Sequence, residues 1–352
     1  MPFHDELERR ARDCLPRWVY DYVAGGADDE LTLEENVAAW RRLRLRPRVL
    51  RDVSKVSTQT TVLGTPIAIP ALIAPTAYQR LVHDEGERAT ACAAAATGTI
   101  MIASTLSTVS LEDIAAVAPG EARWFQLYVH RDRSWTEELV ARAVAAGYTG
   151  LVFTADVPLL GLRLRDERNE FHLPPGMVMA NVGEAPPSVE GSALAAYAGS
   201  AMDPALTFAD IEWLRGLCDL PIIVKGVLRG DDARACVDAG AAGIVVSNHG
   251  GRQLDTAVAT AEALPEIVDA VAGDAEVLID GGIRRGTDIV KARALGARAV
   301  LLGRPVLWGL ATAGALGVRT VLEGLRDELA RALALCGAPT MDDVARDLVA
   351  VL

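Results

Sequence analysis

The sequence predicts an α/β fold, a (β/α)8 barrel with an N-terminal helical extension and a mobile loop after strand 4. Three observations predict it: eight short β-rich runs, Ala-rich stretches at helical spacing between them, and polar residues gathered at the far end of most runs. The runs are Ala68 to Ala74, Thr99 to Ala103, Arg123 to Tyr128, Gly150 to Thr154, Pro221 to Val224, Gly243 to Val246, Glu276 to Ile279 and Arg298 to Leu302. Helical stretches such as Ser134 to Gly147, Asp231 to Gly240 and Gly286 to Gly296 each close on a glycine, the residue best suited to a helix C-cap.

This alternation places a barrel over residues 66–315, a helical lead-in over 1–65 and C-terminal helices over 316–352, so that 1–352 forms one domain. Residues 174–206, between the fourth and fifth runs, are rich in Gly, Ala, Pro and Ser and read as a flexible lid. With 352 residues, 51% of them hydrophobic, the chain can bury a large core. A formal charge of −12, with no basic run or aromatic stacking module, argues against nucleic acid as a partner. The five cysteines are scattered without a CxxC pair, which predicts a reducing, cytoplasmic setting and no structural zinc or other metal. The charged N-terminus has no apolar signal core, and no uninterrupted run reaches the roughly 20 apolar residues of a bilayer span, so no membrane partner is expected.

Active sites of such barrels are built at the C-terminal strand ends. Gln126 and Tyr128, Thr154 and Asp156, Lys225, Ser247 and His249, Asp280 with Gly281 and Gly282, and Gly303 with Arg304 all fall there. The most informative segment is SNHGGRQLD, residues 247–255. His249 can take a proton near neutral pH, Arg252 can fork onto a carboxylate, and two glycines let the backbone pass close to a flat ligand. Together they suit an enzyme acting on a small carboxylic acid; the rival reading is a Gly turn with a solvated His and Arg.

A second signal lies in IDGGIRRGTD and LLGRP, after the seventh and eighth runs, where barrels hold phosphate. Gly281, Gly282 and Gly303 offer close backbone N–H groups, and Arg284 and Arg304 supply charge. GxGxxG and P-loop lysine motifs are absent, so the anion is expected to belong to a cofactor lying across the barrel mouth rather than to a Rossmann dinucleotide. Lys225, ending the apolar run PIIVK, needs an anionic partner to stay charged when buried. His4, His83, His130 and His172 have no matching partners and read as surface or loop residues.

These segments, with APTAYQ, FQLY, VKG and YDYVAGGADDE in this order, resemble the FMN-dependent 2-hydroxy acid oxidases and dehydrogenases over nearly the whole chain. The resemblance implies FMN as cofactor, His249 as base, Asp156 orienting it, Arg163 and Arg252 as carboxylate clamps, and Tyr22 and Tyr128 hydrogen-bonding the substrate. By the same likeness Pro75, Thr76, Ala77, Ser104, Gln126, Thr154, Lys225 and Ser247 line the flavin ring, with Lys225 stabilising the negative charge of reduced flavin. Asp280, Gly282, Arg284, Gly303 and Arg304 hold ribityl and phosphate. Rival readings are core packing for the two tyrosines and a helix N-cap for Asp156. One departure stands in DVPLLGLRLRD, where many relatives carry further arginines at Leu159 and Leu162; Arg163 still matches.

The resemblance also bears on substrate. Leu106 stands where glycolate-type relatives carry Trp, and Tyr78 replaces their Met, so a larger side chain should fit. APTAYQRL, STLSTVSLED and VFTADVP with RLRDERN are most similar to members acting on 4-hydroxymandelate. An aryl (S)-2-hydroxy acid is therefore the first expectation and L-lactate the second, with O2 as acceptor, a quinone-linked dehydrogenase as its alternative, and a homotetramer as the assembly. Transfer as hydride and removal of the Cα proton use the same residues and are both open. From other classes come an FMN-dependent diphosphate isomerase and a non-catalytic flavin-binding protein.

Overall fold

The computed structural model describes residues 3–182 and 193–351. The eight runs form the parallel strands β1 (Ala71–Ile73), β2 (Met101–Ser104), β3 (Arg123–Leu127), β4 (Leu151–Thr154), β5 (Ile222–Val227), β6 (Gly243–Val246), β7 (Glu276–Ile279) and β8 (Ala299–Leu302). They close on themselves, β8 pairing with β1 through Val300 opposite Ala71. Side chains alternate along each strand and so divide the core in two. Leu72, Ile102, Trp124, Val152, Ile223, Val245, Leu278 and Leu301, one from each strand, form a separate inner cluster. Their neighbours, among them Ile73, Phe125, Phe153, Ile244 and Ile279, join the larger cluster shared with the helices.

A hairpin of Thr60–Val62 and Thr65–Ile67 closes the N-terminal end of the barrel. Its Val62 and Ile67 join the inner cluster, and the Leu63 amide donates to Glu276, at the start of β7, at 2.9 Å. The opposite end faces the helices Phe3–Cys14, Arg17–Ala24 and Leu31–Arg42. The helical lead-in expected over 1–65 thus ends at Arg42: Leu43–Leu45 is a strand, antiparallel to Val349–Val351.

The C-terminal helices expected over 316–352 also need correction. One helix spans Arg304–Cys336, kinked at Ala313 and Gly314, next to the expected barrel boundary at 315. Gly337, in the left-handed conformation, ends it, and Pro339 two residues on follows the usual pattern of a helix stop. Two 3-10 turns and the strand Val349–Val351 follow. By length and composition this helix could cross a membrane, which no uninterrupted run had suggested, but Val318, Val321, Leu322, Leu325 and Leu329 bury its apolar face in the core.

The flexible lid expected over 174–206 has docked flanks, while residues 183–192 lie outside the described residues. On one side the Ala180 amide donates to Ser107 O at 2.9 Å and Asn181 accepts from the Leu111 amide at 2.9 Å. On the other, Arg133 bridges Asp203 and Asp210 at 2.9 and 2.8 Å. These contacts join residues 70 to 77 positions apart, which local composition does not report.

Candidate active site

β6 delivers Ser247 to His249 at the C-terminal face. His249 holds a left-handed backbone (φ +57°), uncommon for a residue with a side chain, and its amide donates to Ser247 Oγ at 3.1 Å. Its Nδ1 lies 3.0 and 3.2 Å from the two oxygens of Asp156, which follows β4 by two residues. Gly226, at the bulge in β5, makes room for that carboxylate: a Cβ there would stand 2.5 Å from Asp156 Cβ, and the φ of +109° itself favours glycine. Asp156 caps no helix, since the next one starts at Leu164.

Burial raises the Asp156 pKa, but the charges of His249 and Lys225 outweigh it and hold the carboxyl below its ordinary range. Burial, then the charge of Lys225, pull His249 below 6.5 against the opposing effect of Asp156. A neutral imidazole facing an ionised carboxylate carries its proton on Nδ1, so Nε2 is left with a free lone pair.

His249 lines a cavity of roughly 1120 Å³, counting its open mouth, together with five cations: Arg163, Lys225, Arg252, Arg284 and Arg304. Arg163 is buried with its Nε unpartnered, and burial beside Arg252 brings its pKa down to about 10. Arg252 donates to Tyr22 O and Gly25 O at 2.7 and 2.8 Å, its guanidinium 5.0 Å from the Tyr22 ring centre. Arg304 donates to Val23 O, Gly250 O and Gly25 O at 3.0, 3.0 and 2.9 Å, and burial, with Arg252 beside it, lowers it to about 9. Arg284 donates to Ile283 O at 2.9 Å. Among the described residues none of these four arginines forms an ion pair. Lys225 has Asp280 at 3.6 Å.

A flavin mononucleotide fits this donor set. The excess of positive charge suits its phosphate, and the buried, unpartnered Asp280 Oδ1 can accept from a ribityl hydroxyl. A Cβ on Gly303 would find no atom within 3.8 Å, so the cavity stays open beside Arg304, at the N-terminus of the last helix, whose amides favour an anion.

Of the sequence-predicted residues, Tyr22, Pro75, Thr76, Ala77, Ser104, Leu106, Tyr128, Arg163, Lys225, His249, Arg252, Asp280, Gly281, Gly282, Arg284, Gly303 and Arg304 line the cavity. Four expected on its wall stand behind it. Gln126 accepts from Ser104 Oγ at 3.2 Å and donates to Thr154 at 3.0 Å, while Ser247 holds the His249 amide. Tyr78, whose backbone is left-handed (φ +59°), donates to Met179 Sδ at 3.5 Å and packs against Tyr22. The histidine expectation fails for His4 and His130, which are buried, and holds for exposed His172; His83 is half-buried.

The sequence reading missed the apolar wall of Val23, Val157, Leu160, Met202 and Leu307, whose residue types carry no chemical signal. It also missed the scaffold inside SNHGGRQLD. Asn248 and Asn36 exchange two hydrogen bonds of 2.8 Å, Gln253 donates to Asp156 O and Leu159 O at 2.8 Å, and Asp255 accepts from the amides of Thr32, Asp29 and Leu31 at 2.8, 3.2 and 3.3 Å.

A closed barrel whose C-terminal face joins a carboxylate-oriented imidazole to a cationic cavity fit for a flavin defines a flavoprotein oxidoreductase acting on an anionic substrate. The FMN-dependent dehydrogenase family model matches residues 11–351, and the chain belongs to that family. L-Lactate oxidase from Nostoc sp. is 55% identical over 347 residues, 96% of this chain and 95% of that protein. 2-Hydroxyacid oxidase 1 of Homo sapiens is 47% identical over 352 residues, 98% of this chain and 95% of that protein. A crystal structure of mandelate oxidase with (S)-4-hydroxymandelic acid superposes with a TM-score of 0.94 at 49% identity, covering 99% of this chain and 98% of that one. The chain is thus an FMN-dependent 2-hydroxy acid oxidase, an oxidoreductase acting on a CH–OH donor with oxygen as acceptor. That reaction replaces the isomerase and the non-catalytic alternatives.

Proposed function

We propose that this enzyme oxidises aryl (S)-2-hydroxy acids, mandelate or 4-hydroxymandelate, to the 2-oxo acid, with O2 reduced to H2O2. The observation that carries the substrate choice is the apolar lining, where Leu106, Leu160 and Met202 leave a cavity of roughly 1120 Å³ for cofactor and substrate together. The likeness to mandelate oxidase bound to (S)-4-hydroxymandelic acid supports the same reading. L-Lactate is the second reading, favoured by the 55% identity to an L-lactate oxidase.

In the proposed mechanism Arg163 and Arg252 bind the substrate carboxylate, and the Tyr22 and Tyr128 hydroxyls hydrogen-bond the substrate at its reacting end. Burial keeps both phenols protonated by raising them above their usual range. His249 Nε2 takes one proton as the substrate loses an electron pair and its second hydrogen, which FMN would accept when bound, and Asp156 holds the imidazole in the required tautomer and stabilises the imidazolium. FMN, when bound, accepts the two electrons and passes them to oxygen. Lys225 places positive charge in the cofactor cavity, and Asp280, Gly281, Gly282, Arg284, Gly303 and Arg304 would hold ribityl and phosphate. Thr76, Pro75, Ala77 and Ser104 would line the ring, with Gln126, Thr154 and Ser247 bracing that wall from behind.

The test is anaerobic flavin reduction against mandelate, 4-hydroxymandelate, L-lactate and glycolate. The highest kcat/KM for an aryl acid is expected; a preference for lactate overturns the aryl reading in favour of the second. A cytoplasmic homotetramer is proposed with it, supported by five free cysteines and by exposed Val49, Leu50 and Leu335, which a second copy could cover. Light scattering of the purified holoenzyme checks the assembly.

A further inference from the structure

Two buried polar side chains take no part in the chemistry above, yet they join the two sides of the cavity wall. His130 follows the cavity residue Tyr128 by two positions and forms an antiparallel bridge with Met202, which also lines the cavity. The Arg131 amide donates to Ala201 O at 2.9 Å and the Asp203 amide to Val129 O at 3.0 Å, so the bridge ties one edge of the wall to the other. Tyr197, on the helix Ala193–Ala201 and five residues before Met202, reaches back to the same point: its hydroxyl lies 2.5 Å from His130 Nε2, with the rings edge to face at 5.9 Å.

Both side chains are buried, and His130 Nδ1 has no hydrogen-bond partner. Burial of such groups is costly unless they are paired, so each is satisfied only while the helix is seated on the chain leaving β3. Burial, with Tyr128 nearby, raises the Tyr197 phenol above its usual range, and burial lowers His130 despite Asp132, so both are neutral near pH 7. Trp135, itself exposed, packs against His130 with ring centres 6.0 Å apart.

We propose that His130 and Tyr197 are a positioning pair that seats Met202 and thereby sets which sizes of 2-hydroxy acid the cavity binds well. The pair tunes binding and leaves proton transfer to His249. This rests on the cavity holding the 2-hydroxy acid, not on the acid being aryl.

The experiment compares holoenzyme variants on L-lactate, 2-hydroxyoctanoate and (S)-mandelate, with FMN content and Tm measured alongside. Tyr197→Phe keeps the ring and removes one hydroxyl. It should raise KM about fivefold or more for the two large acids and less than about twofold for lactate, with kcat and FMN content at wild-type values. His130→Gln, which can still bond the phenol, should keep the KM ratios near wild type, whereas His130→Ala should shift them as Tyr197→Phe does, a contrast that ring packing alone would not give. Met202→Ala should shift the same ratios, and adding Tyr197→Phe to it should change them no further, as for residues acting through one contact. Unchanged KM ratios in Tyr197→Phe overturn the proposal, as do additive effects in the double variant or a uniform fall in kcat, Tm and FMN content. Wild-type preference among the acids separately tests the aryl reading.

Discussion

His249 combines a strained backbone with a tuned imidazole, and both features bear on rate. Its pKa is pulled below 6.5, and in the proposed mechanism the neutral form is the base, so kcat/KM should hold as pH falls through 6.5 and decline only at a more acidic apparent pKa. A pH–rate profile with its acid limb at or above 6.5 would contradict this. His249→Ala should keep its yellow flavin while anaerobic reduction slows by at least ~10²-fold in stopped flow. Leu106, buried on the cavity wall, tests substrate shape. Leu106→Trp should depress mandelate turnover far more than lactate turnover, since overpacking costs about 1 to 3 kcal/mol. Tyr128→Phe removes a hydroxyl at the reacting end and should slow every substrate; equal losses for aryl and methyl acids in the Leu106 variant would refute the shape argument. His249 and Arg252 were legible in the sequence because reactive residue types stood at a predicted strand end. The place of Tyr78 was not legible because its ring and hydroxyl meet Tyr22 and Met179, residues far from it along the chain.

The elements owe their places to residues that do no chemistry. Asp255 receives three amides at the start of the helix Leu31–Arg42, and those donors hold its carboxyl below the ordinary range although burial works the other way. Asp255→Ala should cost about 1 to 2 kcal/mol, the usual loss of a helix cap, read as a lower Tm with FMN bound. No change in Tm would show that the helix is held by packing alone. The eight barrel strands were legible because each is a short apolar run with a helical pattern after it. Leu43–Leu45 was not, because its partner Val349–Val351 lies at the other end of the chain and three residues carry too little pattern to predict a strand.

The N-terminal helices are tied to the cavity through Arg304, whose three carbonyl partners lie at the end of the helix Arg17–Ala24 and in the loop after β6. Arg284→Ala and Arg304→Ala should each weaken FMN retention by roughly 1.5 to 3 kcal/mol, the worth of a hydrogen bond to a charged group. Only Arg304→Ala should also lower the Tm of the flavin-free protein, because it strips donors from backbone carbonyls of two elements. Equal apo Tm values for the two variants would count against that difference. FMN should raise the wild-type Tm in a concentration-dependent way, as binding to the folded state alone requires.

The sequence by itself determined the barrel, the order of its strands, and which residue types reach the C-terminal face, because alternation and helical spacing are local properties of a chain. It also singled out His249, the proposed base, and the cations that line the cavity, since their chemistry is written in residue identity. Only the tertiary structure decided which of those residues touch the cavity and which brace it: Gln126, Thr154 and Ser247 stand behind the wall because hydrogen bonds to neighbours hold them there. It likewise decided that His130 is buried against Tyr197, 67 positions away. Pairings at that distance depend on how the closed barrel brings its loops together, and no local pattern encodes them.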